Sequence, residues 1–178
     1  MPDSRLTAEQ IIQALGLQPL PAEGGLFRET YRSDEMIPPG GLPERYPREP
    51  RLFGTAIFYL LTSQPDSFSA LHRLPTDEIY HFYLGDPVEM TLLYPGGESR
   101  QVILGQAILQ GQQLQFCVPR GVWQGSRLAP GGQFALMGTT MAPGFTPSDY
   151  EGGRRSALLE AYPHERARIL ALTREEKT

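Results

Sequence analysis

Apolar and polar positions along this chain follow two different periods, and the changes of period mark out its elements. From Thr7 to Leu15 the apolar residues Ile11, Ile12 and Leu15 fall at helical spacing. Thr7 stands at an N-cap position with Gln10 three residues on, and Gly16 stands where a helix stops, so a short helix is predicted over 7–15. Pro19, Pro21 and Gly24-Gly25 then interrupt regular structure. Leu26 to Ser33 alternates as a strand, with Phe27, Glu29 and Tyr31 on one face and Leu26, Arg28, Thr30 and Arg32 on the other. We expect the aromatic face to turn inward, which would aim Glu29 and Tyr31 at the interior.

Residues 34–50 hold five prolines, the pair Gly40-Gly41 and no visible period, which predicts a loop. Loops of this length are either flaps over a site or surface excursions, and the excursion is the expectation. Leu52 to Thr62 is nearly continuous apolar sequence, as in a strand buried on both faces. The stretch from Ser69 to Gly85 reads as strand, tight turn, strand, with the turn at Pro75-Thr76-Asp77. Val88 to Tyr94 and Ser99 to Leu104 flank Pro95-Gly96-Gly97-Glu98 as a hairpin. Leu114 to Val118, Trp123 to Leu128 and Gln133 to Met141 complete the strands, and 154–173 reads as two helical segments broken at Pro163. Many short strands separated by turn signals predict an all-β sandwich or barrel, with a short N-terminal helix and C-terminal helices.

Composition narrows the class. A length of 178 residues is most simply one domain, spanning 1–178. The 19 glycines and 17 prolines agree with a turn-rich β fold. A formal net charge of −4 gives no electrostatic case for nucleic acid. Cys117 is the single cysteine, which excludes an internal disulfide and a cysteine-cluster zinc site. The sequence has no basic-then-apolar leader and no apolar run approaching a membrane span, so the cytoplasm is the expected location and no membrane partner is expected. Gly24-Gly25 and Gly152-Gly153 lack the spacing and the lysine of a phosphate-cradling loop.

The candidate chemistry lies between Ser69 and Gly85. On a regular strand Glu78, Tyr80, Phe82 and Leu84 share a face, while Ile79, His81 and Tyr83 share the other. His72 and Leu74 share a face of the preceding strand, and a hairpin would bring His72 and Glu78 to the same side of one sheet. An imidazole and a carboxylate converging on an apolar face make a site hypothesis, because a buried carboxylate needs a partner. His81 falls out of phase with Glu78 and is expected to face away. His164 follows Pro163 and is expected to be exposed.

These residues carry a resemblance. His72, Glu78 after five intervening residues and Gly85 after six more match the first His, the Glu and the closing Gly of the first cupin motif, with Leu74 where its second His belongs. Pro119-Arg120-Gly121 matches the Pro-x-Gly of the second cupin motif, but Gln124 replaces its His and Leu128 its Asn, and Gly111 lies too far upstream. Glu23 to Ser33, Ala56 to Leu61, Ala142-Pro143-Gly144-Phe145 and Asp149-Tyr150 extend the likeness over most of the chain. The sequence thus resembles the cupin superfamily, and within it the domain-of-unknown-function family often compared with sugar-nucleotide epimerases.

That resemblance implies a double-stranded β-helix, the cupin jelly roll, and a homodimer. It implies a small-molecule ligand, with Glu29, Tyr31, Phe82, Gln124 and Ser126 as candidate binding residues. Of the positions that usually hold a metal, His72, Glu78 and Gln124 retain donors, but Leu74 cannot ligate and Gln124 offers only a neutral amide. We therefore expect no cofactor and no tightly held divalent transition metal; if one bound, those three residues would hold it. By analogy with metal-free epimerases of the superfamily, His72 would act as base, Glu78 or Glu29 would orient it, and Tyr80 or Tyr31 would return a proton. A non-catalytic ligand-binding protein and a metalloenzyme with reduced ligands are the alternatives. Trp123 adjoins Gln124 and should face away from the site, toward core or a subunit contact. Arg28 and Arg32 are expected to be exposed.

Overall fold

The fold is known from a computed structural model, which describes residues 6–175. Helix α1 (Ala8–Leu15) begins on Thr7, whose side chain accepts from the Gln10 backbone while the Gln10 side chain accepts from that of Thr7. This reciprocal cap contributes about 1 kcal/mol. Gly16 ends the helix at φ 60°.

Thirteen strands follow among the described residues. The first seven are β1 (Gln18–Pro19), β2 (Leu26–Arg32), β3 (Met36–Ile37), β4 (Arg51–Leu52), β5 (Thr55–Thr62), β6 (Ser69–Arg73) and β7 (Glu78–Gly85). The remainder are β8 (Val88–Leu93), β9 (Ser99–Leu104), β10 (Gln115–Val118), β11 (Trp123–Leu128), β12 (Phe134–Met141) and β13 (Glu151–Gly152). Helices α2 (Arg155–Ala161) and α3 (Arg166–Ala171) close the chain. One sheet has the order β1-β2-β5-β12-β7-β10, the other β13-β6-β11-β8-β9, and β3 pairs with β4 separately. All these pairings are antiparallel. The arrangement is the expected cupin jelly roll.

The two large sheets face each other across the main core, where Tyr59, Phe82, Met90, Leu92, Val102 and Met137 interlock. Their outer faces are covered in part. Helix α1 lays Ile11 over Leu60 and Leu136 of the first sheet. Helices α2 and α3 lay Leu158, Ile169 and neighbours over Leu71 and Leu93 of the second, with Trp123 packed beside them. Trp123 therefore does face away from the interior, and Arg73 stacks on its ring at 4.6 Å.

The structure corrects three details of the pattern. First, β6 and β7 do not form a hairpin. They belong to different sheets, and Leu74 to Asp77 crosses between them. Turn residues report a change of direction, not the strand that will be the hydrogen-bonding partner. Second, the stretch Leu52 to Thr62 is two strands, β4 and β5, interrupted at Phe53-Gly54. Third, the proline-rich segment 34–50 is tied down. Tyr46 is buried and its hydroxyl accepts from Thr76, while Arg45 donates to the Pro75 carbonyl.

Candidate functional site

Because β6 and β7 lie on opposite sheets, His72 and Glu78 face each other across the interior rather than side by side on one sheet. Between them opens a cavity of about 470 Å³, within the usual range for small-molecule sites. His72, Leu74 and Glu78 form part of its wall, and Phe27, Ile57, Met141 and Phe145 give it a mostly apolar surface.

The protonation pattern of His72 follows from its neighbours. Its Nδ1 lies 2.8 Å from the Ala70 carbonyl, an acceptor only, so Nδ1 carries the proton in the neutral ring. The lone pair of Nε2 is thereby left free, facing Glu23 Oε2 at 3.9 Å. Glu23 is held from behind by the Ser69 hydroxyl, which donates to Oε1 at 2.8 Å. The phenol ring of Tyr150 stacks on the imidazole, centroids 5.2 Å apart. Burial and the neighbouring Glu23 push the Tyr150 hydroxyl up to about 12, so it is a neutral hydrogen-bond donor at working pH.

Glu78 is almost fully enclosed and accepts from Gln124 Nε2 at 2.7 Å. Burial and then Glu23 raise its carboxyl above the ordinary carboxylate range, with His72, Thr139 and Gln124 opposing. The site thus sets a carboxyl group raised above the ordinary carboxylate range opposite an imidazole with a free lone pair.

Two residues of this group, Glu23 and Tyr150, had no chemical role in the sequence reading. Glu23 lies in a turn that strand patterns do not describe. Ala22 takes φ 63°, and Gly24 and Gly25 take φ 103° and 68°. A Cβ on Gly24 would stand 2.3 Å from the Phe68 carbonyl oxygen, so only glycine lets the turn press against β6. The Glu23 carbonyl accepts from the Ala70 amide and Tyr59 donates to the Gly24 carbonyl, which fixes the turn. The signal available was the dipeptide Gly24-Gly25 itself, next to a carboxylate. Tyr150 is placed by a buried ion pair one residue earlier: Arg51 holds Asp149 at 2.5 Å, with both side chains at most 1% exposed. Arg51 also donates to Thr146, and Asp149 caps the turn at 146–149.

The other predicted positions are distributed as follows. Glu29 is on the wall, but Tyr31 is not and is 55% exposed. A bulge in β2 pairs Glu29 with Ile57 and Tyr31 with Ala56, leaving Thr30 as an extra residue. The phase shifts by one, Tyr31 leaves the wall, and Arg32 reaches the exposed mouth of the cavity, where its Nε and Nη2 donate to Glu29 at 2.8 Å each. Tyr80 and Phe82 share the inward face with Glu78 but lie deeper, in the core behind the wall. Gln124 and Ser126 are buried on β11 behind the wall as well, and Gln124 reaches the site only through Glu78. Gln124 Oε1 and Ser126 Oγ have no partner among the described residues. His81 faces the other way and meets Thr140 and Gln115. His164 is exposed beside Ser99.

The donor set does not fit a transition metal. Leu74 fills one ligand position with hydrocarbon, and the Gln124 amide turns its N–H₂ toward Glu78 instead of its oxygen toward a shared point. Among the described residues no group of three His, Cys, Asp or Glu side chains is arranged to hold a metal ion.

The comparisons agree with this architecture. The family described as Cupin superfamily (DUF985) matches residues 9–152. An uncharacterized protein of Saccharomyces cerevisiae is 31% identical over 135 residues, which cover 72% of this chain and 66%, just under two thirds, of that protein. A crystal structure of a Shewanella oneidensis protein superposes with a TM-score of 0.84 at 32% identity, covering 97% of this chain and all of that one (100%). A dTDP sugar isomerase from Desulfovibrio desulfuricans superposes with a TM-score of 0.52 at 18% identity, covering 79% of this chain and 90% of that one, a likeness of fold. Among the described residues no helix is long and apolar enough to cross a membrane.

Proposed function

The chain belongs to the DUF985 family of the cupin superfamily, and from that premise we propose that it is a metal-independent proton-transfer enzyme, an epimerase or isomerase acting on a small oxygenated compound. The observation that carries this reading is the free Nε2 of His72, fixed by the Nδ1 contact to Ala70 and facing the cavity beside Glu23. His72 Nε2 takes a proton from a carbon next to a carbonyl, and Glu23 stabilises the imidazolium that forms. Glu78, its carboxyl raised by burial, acts in its protonated form and donates that proton to the carbonyl oxygen, which gives a neutral enol. For an α-hydroxy carbonyl compound, His72 then gives its proton to the former carbonyl carbon while the neighbouring hydroxyl gives its proton to the Glu78 carboxylate, which completes an isomerisation with both groups regenerated; where the enol instead turns its other face to His72 and its O–H proton goes back to Glu78, the product is the epimer. Tyr150, a neutral donor stacked on His72, is the hydroxyl on the wall that can hydrogen-bond the same oxygen. A fold-level likeness to a dTDP sugar isomerase is consistent with this class of chemistry but does not choose the substrate.

Proton exchange in D₂O tests the reading. Small ketones are incubated with the protein and followed by proton NMR. Deuterium entering next to the carbonyl faster than in buffer is the expected result. Binding without any exchange would instead make the protein a ligand carrier.

A further inference from the structure

The ionisable side chains on the cavity wall are Glu23, Glu29, Arg32, His72, Glu78 and Tyr150. Among the described residues Arg32 is the one guanidinium on the wall, and it donates two parallel N–H groups to the two carboxylate oxygens of Glu29 at 2.8 Å each. The pair lies at the mouth, with side chains 56% and 38% exposed, and contributes no net charge to the wall. Among the described residues no lysine lines the wall. The unpaired acidic groups, Glu23 and Glu78, sit at the His72 end. An entering phosphate or carboxylate would meet the like charge of Glu23 there and, at the mouth, an arginine whose charge Glu29 balances. Apart from Thr55 and Thr139, the remaining surface is apolar and partly aromatic, with Leu20, Phe27, Ile57, Met141 and Phe145.

We infer that the ligand is an uncharged compound with an apolar body and a single oxygenated end, and that it is neither a nucleoside diphosphate sugar nor another anion. The apolar body lies against Phe27, Ile57 and Phe145, and the carbonyl or hydroxyl meets His72, Glu78 and Tyr150. The bulge at Thr30 serves this selectivity: it brings Arg32 to the mouth, where Glu29 on the same strand balances its charge. This inference rests on the assignment of the cavity as the working site, but it concerns what binds there and not whether a proton moves.

Isothermal titration with two probes tests it. 2-Tetralone is an uncharged bicycle with one ketone, and thymidine diphosphate is a nucleotide with a pyrophosphate. The expected result is that 2-tetralone binds at least about tenfold more tightly than thymidine diphosphate, and that Phe145→Ala weakens it by about tenfold, the equivalent of one lost side-chain contact of about 1.4 kcal/mol. Phe27→Ala provides a second reading from the facing wall should the first variant fold poorly. Thymidine diphosphate binding more tightly, with a loss in Arg32→Ala, would overturn the inference, as would absence of 2-tetralone binding. Neither result bears on His72 as base, because no turnover is read.

Discussion

The imidazole of His72 and the phenol of Tyr150 lie face to face, with ring planes inclined by only 22°. The stack and the Ala70 carbonyl together fix the ring, so that one tautomer is available. In ¹⁵N-labelled protein, two-bond proton–nitrogen correlation will show His72 with a protonated Nδ1 and an unprotonated Nε2. The opposite tautomer would remove the free lone pair on which the proposed chemistry depends.

Glu78 gives a pH dependence of definite sign. Its folded-state pKa is raised, first by burial and then by Glu23. A raised carboxyl favours the folded state most fully below the unfolded pKa, and that contribution is lost as pH rises through the folded value. At neutral pH the group therefore weighs against folding, and Glu78→Gln should raise the melting temperature. Each kcal/mol gained appears as about 2–4 °C in a domain of this size. The advantage should fade as the pH falls from the raised folded-state value toward the unfolded carboxylate value, and be gone below about 4. A variant less stable than wild type at neutral pH and equal to it in acid would reverse the sign and refute the assignment.

Arg51 and Asp149 form a buried pair whose purpose, in this account, is to seat Tyr150. Removing one partner leaves the other charge buried alone, so Arg51→Met should cost about 3–5 kcal/mol in denaturant unfolding. Combining it with Asp149→Leu should recover part of that loss. A single substitution costing under about 1 kcal/mol would show that the pair is not holding the loop.

Gly24 is needed for geometry. Gly24→Ala combines a φ of 103° with a Cβ placed against the Phe68 carbonyl. The expected loss is more than about 1 kcal/mol of stability, together with displacement of Glu23 and a slower reaction. An unchanged unfolding curve would show that the turn is free to relax.

The donor set predicts its own elemental analysis. Untagged protein purified without chelator should hold well below one equivalent of any transition metal by inductively coupled plasma mass spectrometry. One equivalent that disappears in His72→Ala and Glu78→Ala would require a metal-assisted mechanism.

Much of the fold was legible because it rests on local rules. The Thr7–Gln10 cap, the Gly16 stop and the Pro95–Glu98 hairpin are each specified by residues within a few positions of one another. The inward face of β7 was legible as far as Phe82, but a register shift opposite Leu136 and Met137 turns Leu84 to the outer face, into the cluster under α1. A one-residue bulge of this kind, like that at Thr30, reverses every later side chain and leaves no mark on the hydrophobic pattern. The site was half legible for a related reason. His72 and Glu78 carry motif spacing, whereas Glu23 and Tyr150 reach His72 from turns whose shape is set by distant partners, Phe68 for one and Arg51 for the other.

The most direct test of the account is the rate of deuterium exchange into 2-tetralone catalysed by wild type and by His72→Ala, with and without added imidazole. His72→Ala should lose about 10²–10⁴-fold, in line with removal of a general base, and recover in part when free imidazole occupies the vacated space. Equal exchange by wild type and His72→Ala, with no response to imidazole, would contradict it.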